Sequence, residues 1–303
     1  MILLYHLVFP DSTPKEAWNA GLILRLRDFK RQLTWLNKRY KILSLEQYMQ
    51  SFQRDQKSPK GAYALTFDDG YQQVFELVKP FLLEAQIPAT FFATTSHLDD
   101  GCLLWFVYFN ALCSEIVYDR IKIGGKTYAL TRRQSSMAAW GELIRLARAS
   151  GDPIAFARDF AQNYPLPEAV MAKYAGLTAD QMREIGGQKD FTLGGHTHQH
   201  PYLDLISPEE QRQEILTNKH KLEAISGQPV SYFAFTGGVY NAESIKVVKG
   251  AGFEAAFAVK PKGLGQDPRF EMPRVDIYHP SMIKFKAKAY GLGDFARKLW
   301  GGS

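Results

Sequence analysis

Short apolar runs that alternate with helical patterns restrict the fold of this chain more than any other feature. Eight runs, rich in β-branched and aromatic residues, read ILLY (2–5), KILSL (41–45), AYALTF (62–67), ATFFAT (89–94), FTLGG (191–195), SYFAF (231–235), AAFAV (255–259) and PRVDI (273–277). Strands that alternate with helices indicate a parallel sheet with the helices packed outside it. Eight strands favour an α/β fold of the (β/α) barrel type, distorted or incomplete, over an open sheet.

The segments between these runs carry helix signals. LRLRDFKRQLTWLNKRY (24–40) has leucine and phenylalanine at helix spacing, and VFELVKPFLLEA (74–85) is also helical in pattern. PEEQRQEILTNKHKLEAIS (208–226) follows Ser207, which with Glu210 makes a capping box. These helices supply the crossovers that parallel strands need.

Residues 99–176 interrupt the alternation of strands and helices. This segment is mostly helical in pattern, with one predicted hairpin, RIKIGGKTYAL (120–130), that turns at Gly124 and Gly125. A chain of 303 residues with 46% hydrophobic residues can bury one large core. We therefore expect residues 1–303 to form a single barrel domain with residues 99–176 inserted as a cap or lid.

Charge and cysteine content indicate which partners and which cellular compartment to expect. The net charge of +6 suits an anionic partner, such as an anionic glycan, a phosphate or a membrane surface. No basic run interleaves with aromatic residues, so nucleic acid is not the expected partner. The apolar first residues lack the features of a signal peptide, and Cys102 and Cys113 fit a reducing compartment. A cytoplasmic protein, with peripheral contact to a membrane or a lipid-linked glycan, is the expectation.

Polar residues follow most of the predicted strands directly. In chain order they are His6, Asp68, Asp69, His196, Thr236, Lys260, Tyr278 and His279. A parallel barrel gathers its chemistry at the carboxyl ends of its strands. These residues, which include three of the seven histidines, are therefore expected to share one rim.

The segment GGHTHQHPYL (194–203) places His196 and His200 four residues apart. At this spacing two imidazoles can meet one cation, and two histidines with one carboxylate are a recurrent metal-binding set. A cation also explains why two repelling carboxylates stand side by side in TFDDG (66–70). One carboxylate ligates the cation, and the other is left to accept a proton from water.

Each of these motifs has an ordinary interpretation when it is taken alone. Asp-Asp-Gly is most often a solvated turn or a helix N-cap, and a lone H-x-x-x-H is more often a surface feature than a metal site. His198, between the two histidines, is expected to be a bystander or to support a ligand. The combination of both motifs on one predicted rim favours the metal site.

TFDDG, the H-x-x-x-H within GGHTHQHP and the opening LLYH (3–6), in the order in which they occur, resemble the polysaccharide deacetylase (NodB homology) family, carbohydrate esterase family 4. The likeness covers most of the chain outside the insertion. TFDDG with a downstream H-[ST]-x-x-H at this separation is a specific signature. The resemblance implies a distorted (β/α) barrel of about seven strands and metal-dependent removal of N-acetyl, sometimes O-acetyl, groups from sugars.

Carried over by position, the resemblance makes Asp68 the catalytic base. It makes Asp69, His196 and His200 the ligands of a divalent metal, usually Zn²⁺, although Co²⁺, Ni²⁺, Fe²⁺ or Mn²⁺ also serve. The backbone N–H of Tyr71, which follows the motif glycine, would help to hold the oxyanion.

Two later motifs depart from the family pattern. Family members often have R-x-P-Y, whose arginine orients the base, where this chain has FAFTGGVYN (233–241); Arg274 in MPRVD can supply that charge from another strand. The terminal L-x-L-x-H motif, which carries the general acid, has only a loose echo in VDIYH (275–279). We predict His279 as the acid because it fits this echo, with His6 as the second candidate.

The sequence thus predicts a metal-dependent hydrolase that releases acetate from an N-acetylated polysaccharide, oligosaccharide or lipid-linked sugar. The helical insertion is similar to that of family members from exopolysaccharide and O-antigen assembly. Two alternatives stay open. One is a hydrolase of another small amide, such as a formamide or an imide, and the other is a catalytically inactive glycan-binding barrel. The latter has no need of Asp68.

Overall fold

The structure is a computed structural model that describes residues 1–13 and 23–291. The strands are β1 (Ile2–Tyr5), β2 (Leu7–Phe9), β3 (Ile23–Arg25), β4 (Lys41–Ile42), β5 (Ala62–Phe67), β6 (Ala89–Ala93), β7 (Arg120–Ile123), β8 (Lys126–Ala129), β9 (Phe191–Gly195), β10 (Tyr232–Ala234), β11 (Ala255–Ala258) and β12 (Met272–Asp276). The helices are α1 (Leu26–Asn37), α2 (Leu45–Asp55), α3 (Gln72–Glu84), α4 (His97–Asp100), α5 (Trp105–Ser114), α6 (Arg133–Ala149), α7 (Pro153–Asn163), α8 (Glu168–Lys173), α9 (Ala179–Gly187), α10 (Pro208–Ser226), α11 (Ala242–Gly250) and α12 (Met282–Ala289).

Seven parallel strands close into a barrel. Their order is β1, β12, β11, β10, β9, β6 and β5, and the pairing of β1 with β5 completes the ring. The two-residue strand β4 pairs with the start of β5, at Ala62 and Tyr63, and β1 pairs with the rest of β5. The predicted barrel of about seven strands is confirmed, and the eighth apolar run only extends one edge.

The strand predicted over residues 41–45 is wrong in its second half, because β4 ends at Ile42 and α2 begins at Leu45. Ser44 caps this helix. Its hydroxyl accepts the N–H of Gln47, and the Gln47 side chain accepts the N–H of Ser44. Residues on one face of α2 pack with the first residues of the barrel strands, so the helix closes the amino end of the barrel.

Alternation along the strands divides the core into two layers. Even-numbered residues of β1, β5 and β12, such as Ile2, Ala64 and Met272, pack together inside the barrel. Odd-numbered neighbours, such as Leu3 and Leu65, pack against the outer helices. Because successive side chains of a strand point to opposite faces, the same period carries on to the carboxyl ends of the strands and decides which polar residues face inward.

A second hydrophobic cluster lies between β6 and β9 in the chain, formed by α5, α6, α7 and the β7–β8 hairpin. The hairpin turns at Gly124 and Gly125, whose φ angles of 53° and 83° suit a two-residue turn of the primed type. The expected role of residues 99–176 as a cap or lid stays a prediction.

Among the described residues, no helix has the length and apolar character needed to cross a membrane.

Candidate functional site

Asp69, His196 and His200 meet at the carboxyl end of the barrel. Nε2 of His196 lies 3.3 Å, and Nε2 of His200 lies 3.4 Å, from the same Oδ1 of Asp69. The three ligand atoms lie within 4.8 Å of one another, and all three side chains are buried. The structure therefore brings together the three residues that the sequence predicts as metal ligands.

Unusual backbone conformations hold these ligands in place. Asp69, Thr197 and His200 have φ angles of 69°, 62° and 59°, a region that non-glycine residues adopt only when their surroundings enforce it. The Thr197 hydroxyl accepts the N–H of His200 and fixes the turn. Gly70 has a φ of 69°, and a Cβ there would lie 2.9 Å from Cβ of Ala93, so this position requires glycine.

Hydrogen bonds behind His196 fix the orientation of its ring. Nδ1 of His196 lies 2.8 Å from the carbonyl oxygen of Ala234. A carbonyl can only accept, so Nδ1 carries a proton, and the neutral ring would have its Nε2 lone pair free for a cation bound beside Asp69. The amide of Asn218 accepts the backbone N–H of His196 at 2.9 Å and donates to the carbonyl of Ala93 at 3.0 Å. The ligand is thus held at both its ring and its backbone.

The donor set fits a divalent cation. Burial lowers the pKa of His200, which keeps its imidazole neutral and able to ligate. Two imidazole nitrogens and one carboxylate oxygen are ligands that Zn²⁺ and other first-row divalent ions take, with further positions left for water and substrate. Phe106 of α5 packs against the His200 ring, with 4.5 Å between ring centroids, and shields this side of the site.

The side chain of Asp68 has a different partner from that of Asp69. Both of its carboxylate oxygens accept hydrogen bonds from the Arg274 guanidinium, NH1 to Oδ1 and NH2 to Oδ2, each at 2.6 Å. Burial raises the pKa of Asp68, but the charges of Arg274 and His196 outweigh burial and lower it below the usual value. Asp68 is therefore an ionised carboxylate at neutral pH, beside the metal ligands and not among the donor set.

The two general-acid candidates lie in different places. His6 lines the same cavity as Asp68 and Asp69, and its Nδ1 lies 3.8 Å from Oδ1 of Asp276. His279 is not among the residues that line this cavity. Its Nδ1 accepts the N–H of Ser281 at 3.0 Å instead. The geometry favours His6, the second candidate of the sequence analysis, over His279.

The other rim residues differ in what they contact. The side chain of Tyr71 lines the cavity, and in the described part of the chain its backbone N–H has no acceptor. Lys260 is exposed at the cavity wall. The Thr236 hydroxyl donates to the carbonyl of Pro201 and supports the His200 loop. Tyr278 is exposed beside Lys288, whose Nζ lies 4.3 Å from the ring centroid.

His198 lies outside the ligand cluster. Its Nδ1 is 2.9 Å from the hydroxyl of Thr95, and its Nε2 is 3.3 Å from a carboxylate oxygen of Asp99. The Asn218 amide also donates to the Thr95 hydroxyl, at 3.3 Å. His198 is thus linked to His196 through the side chains of Thr95 and Asn218.

A cavity of about 500 Å³ opens over the site. Barrel residues form its floor, and residues from α5 and α6 form part of its wall, including Trp105, Phe106, Asn110, Trp140 and Ile144. The space is large enough for a small ligand and is lined by aromatic rings with a few polar groups, as small-molecule sites usually are.

Asp276 and Asn218 belong to this site but are not predicted from the sequence. Asp276 shares the inward face of β12 with Arg274, two residues earlier, so the strand period could have identified it. Asn218 lies on the buried face of α10 between Ile215 and Leu222. A polar residue within an apolar stripe is a signal of a buried hydrogen-bonding role.

Comparison with known proteins identifies a family whose sequence model matches this chain. The sequence model described as "Polysaccharide deacetylase" matches residues 55–143 and 162–256, more than half of the chain. The chain is also 25% identical over 91 residues to the "Putative polysaccharide deacetylase YxkH" of Bacillus subtilis (strain 168). That match covers 30% of this chain and about a third, 32%, of the relative's length.

Solved structures share the fold along nearly the whole chain. The Streptococcus pyogenes deacetylase PplD, solved in complex with acetate, has a TM-score of 0.60 at 20% identity, covering 93% of this chain and 92% of that one. A de-N-acetylase from Aggregatibacter actinomycetemcomitans has a TM-score of 0.57 at 16% identity, covering 94% and 97%. At these identities the likeness establishes the barrel fold.

Replacement of His196 by alanine tests the metal set. We expect His196→Ala to lose tight binding of Zn²⁺, because the site keeps only one imidazole and one carboxylate. The fold should stay intact, since the site lies at strand ends. Metal content of the purified protein, with circular dichroism as the check on folding, makes the measurement. His220→Ala, a histidine outside the cluster, is the control, and full zinc occupancy in His196→Ala would refute the assignment.

Proposed function

Because the chain belongs to the polysaccharide deacetylase family, we propose that it is a metal-dependent hydrolase that removes N-acetyl groups from a carbohydrate. The observation that carries this proposal is the division of labour between two adjacent buried carboxylates. Asp69 faces the two histidines, and Asp68 pairs with Arg274. A site that only bound a metal or a sugar would have no need of the second carboxylate. A hydrolase needs it as a base.

A divalent cation held by Asp69, His196 and His200 would polarise an acyl carbonyl and acidify water at neutral pH. The residues of this chain then supply the proton transfers. Asp68 is ionised and accepts the proton of the attacking water, while Arg274 fixes the orientation of its carboxylate by two hydrogen bonds. The backbone N–H of Tyr71 is available to hydrogen-bond the oxyanion.

The amine that leaves an amide must be protonated, and His6 is the group that we propose for this step. It lines the cavity together with Asp68 and Asp69. Oδ1 of Asp276 is buried, lacks a hydrogen-bond donor among the described residues and lies 3.8 Å from Nδ1 of His6. A protonated His6 can form an ion pair with this carboxylate across that distance.

Removal of N-acetyl rather than other acyl groups is supported by one relative, which is named as a de-N-acetylase. The aromatic lining of the cavity suits the apolar face of a pyranose ring better than a small formamide or imide. A role in exopolysaccharide or O-antigen assembly and a cytoplasmic location stay predictions.

Acetate release tests the proposed function directly. The protein reconstituted with Zn²⁺ should release acetate from at least one member of a panel of N-acetylated oligosaccharides, polysaccharides and lipid-linked sugars. A chelator should abolish release, and added Zn²⁺ should restore it. No release from any member, by a protein with one bound zinc, would refute the proposal and favour a binding function.

Asp68→Asn is the matched variant for this assay. Asparagine keeps the size of aspartate but cannot accept the proton, so turnover should fall by roughly 10²–10⁴ while zinc stays bound. Loss of zinc together with activity would mean that Asp68 is a ligand. The variant also measures any acetate that a contaminating enzyme releases.

The general acid is tested by leaving-group dependence. If His6 donates the proton, His6→Ala should lose most of its activity on an N-acetyl sugar, but little on an aryl acetate, whose leaving group needs no proton. The alkaline limb of its rate–pH profile should flatten. His279→Ala is the matched variant and should behave like the wild type in both assays. The opposite result for the two histidines would make His279 the acid.

A further inference from the structure

A buried amide without a partner lies in the wall of the cavity. Asn110 of α5 is 7% exposed and lines the cavity that contains Asp68 and Asp69. Its Oδ1 is buried and accepts no hydrogen bond from the described residues. Native proteins rarely leave a buried polar group unpaired, because the group has lost its hydrogen bonds to water without replacement.

A second polar group of the same wall is also unpaired. Nε1 of Trp140, on α6, is buried and has no acceptor in the described part of the chain. Trp140 lines the cavity, as do Ile144, one turn further along α6, and Phe106, one turn before Asn110 on α5. Residues four apart share a helix face, so on each helix a polar residue faces the cavity beside an apolar one.

Oε1 of Gln73 and Oε1 of Gln211 are also buried and unpaired among the described residues, but neither residue lines this cavity. Asn218 is also buried, yet its amide bonds to the N–H of His196, the carbonyl of Ala93 and the hydroxyl of Thr95. The amide at Asn110 therefore differs from a structural amide in the same protein. What distinguishes it is its position on the cavity wall, where a ligand can supply the missing partners.

We propose that Asn110 and Trp140 form a sugar-binding subsite on the insertion. The amide offers a donor and an acceptor and the indole offers a donor, which together complement the hydroxyl groups of a pyranose ring. Trp105 and Phe106 add apolar lining to the same wall, and sugar rings pack their apolar faces against aromatic residues of this kind. The inference rests on the proposed function, because the N-acetylated sugar of that reaction is the ligand.

Asn110→Leu and Trp140→Phe test the subsite. Leucine is close to asparagine in size and lacks its polar atoms, and phenylalanine keeps a ring but lacks the N–H. KM for the oligosaccharide that releases acetate should rise roughly 2- to 12-fold for each neutral hydrogen bond that a change removes, with a smaller change in kcat. Asn110→Leu should keep or raise the melting temperature, because it removes an unpaired buried amide.

Two other asparagines are the controls. Asn218→Leu should lower the melting temperature clearly, since it removes three hydrogen bonds from the interior. Asn163→Leu, at the exposed end of α7, should leave both KM and melting temperature near wild type. An unchanged KM in Asn110→Leu, or a loss of stability like that of Asn218→Leu, would overturn the subsite.

Binding to the zinc-loaded Asp68→Asn protein separates this inference from the proposed function. Calorimetric titration with an N-acetylglucosamine oligosaccharide should show binding that weakens roughly 2- to 12-fold when Asn110→Leu is added. Acetate release by the wild type without this weakening would overturn the subsite and leave the proposed function intact. No glycan binding and no acetate release would overturn both.

Discussion

Two adjacent buried carboxylates can both be ionised only if each has its own positive partner, and the architecture of this site depends on that constraint. Burial raises the pKa of Asp68, and the Arg274 guanidinium and His196 lower it further than burial raises it. Because the folded-state pKa lies below the unfolded value, the pair contributes stability above the ordinary carboxyl pKa and loses it as pH falls through the folded pKa. Asp69 turns away from Arg274 and faces two imidazoles, and a cation held by these three ligands would balance its charge. This arrangement fits the proposed roles of one carboxylate in ligation and of the other in proton transfer.

The barrel supplies these partners from strands that are distant in the chain. β12 is separated from β5 by β1, and Arg274 reaches Asp68 across the barrel interior, where its guanidinium lies 5.3 Å from the ring centroid of Phe92. The two histidines come from the turn after β9. This strand is separated from β5 by β6, on the side of β5 that faces away from β1. Helices α5 and α6 contribute part of the cavity wall, and Phe106 of α5 packs on the ring of His200. The proposed roles follow this arrangement, with the chemistry at the barrel and ligand selection at α5 and α6.

Much of the fold and of the metal set could be predicted, because both depend on local pattern. Buried strands read as apolar runs, and residues directly after such runs share the carboxyl rim of a parallel barrel. The predictions are wrong or incomplete where one residue or one contact decides the structure. Ser44 and Gln47 convert the end of KILSL into a helix cap. The period of two places Asp276, and not His279, on the same face of β12 as Arg274. Because Asp276 lies beside His6, this count would have favoured His6 over His279. The unpaired amide of Asn110 has no sequence signal, since only the folded cavity shows that nothing meets it.

The most direct test of this account is an anomalous difference map at the zinc absorption edge, from crystals of the protein grown with Zn²⁺. The account predicts one strong peak bounded by Nε2 of His196, Nε2 of His200 and Oδ1 of Asp69. Distances should be about 2.0–2.2 Å to each atom, with the Asp68 carboxylate still paired to Arg274. A peak that Asp68 ligates in place of Asp69, or no peak between the two histidines at saturating zinc, would contradict the division of roles between the two carboxylates.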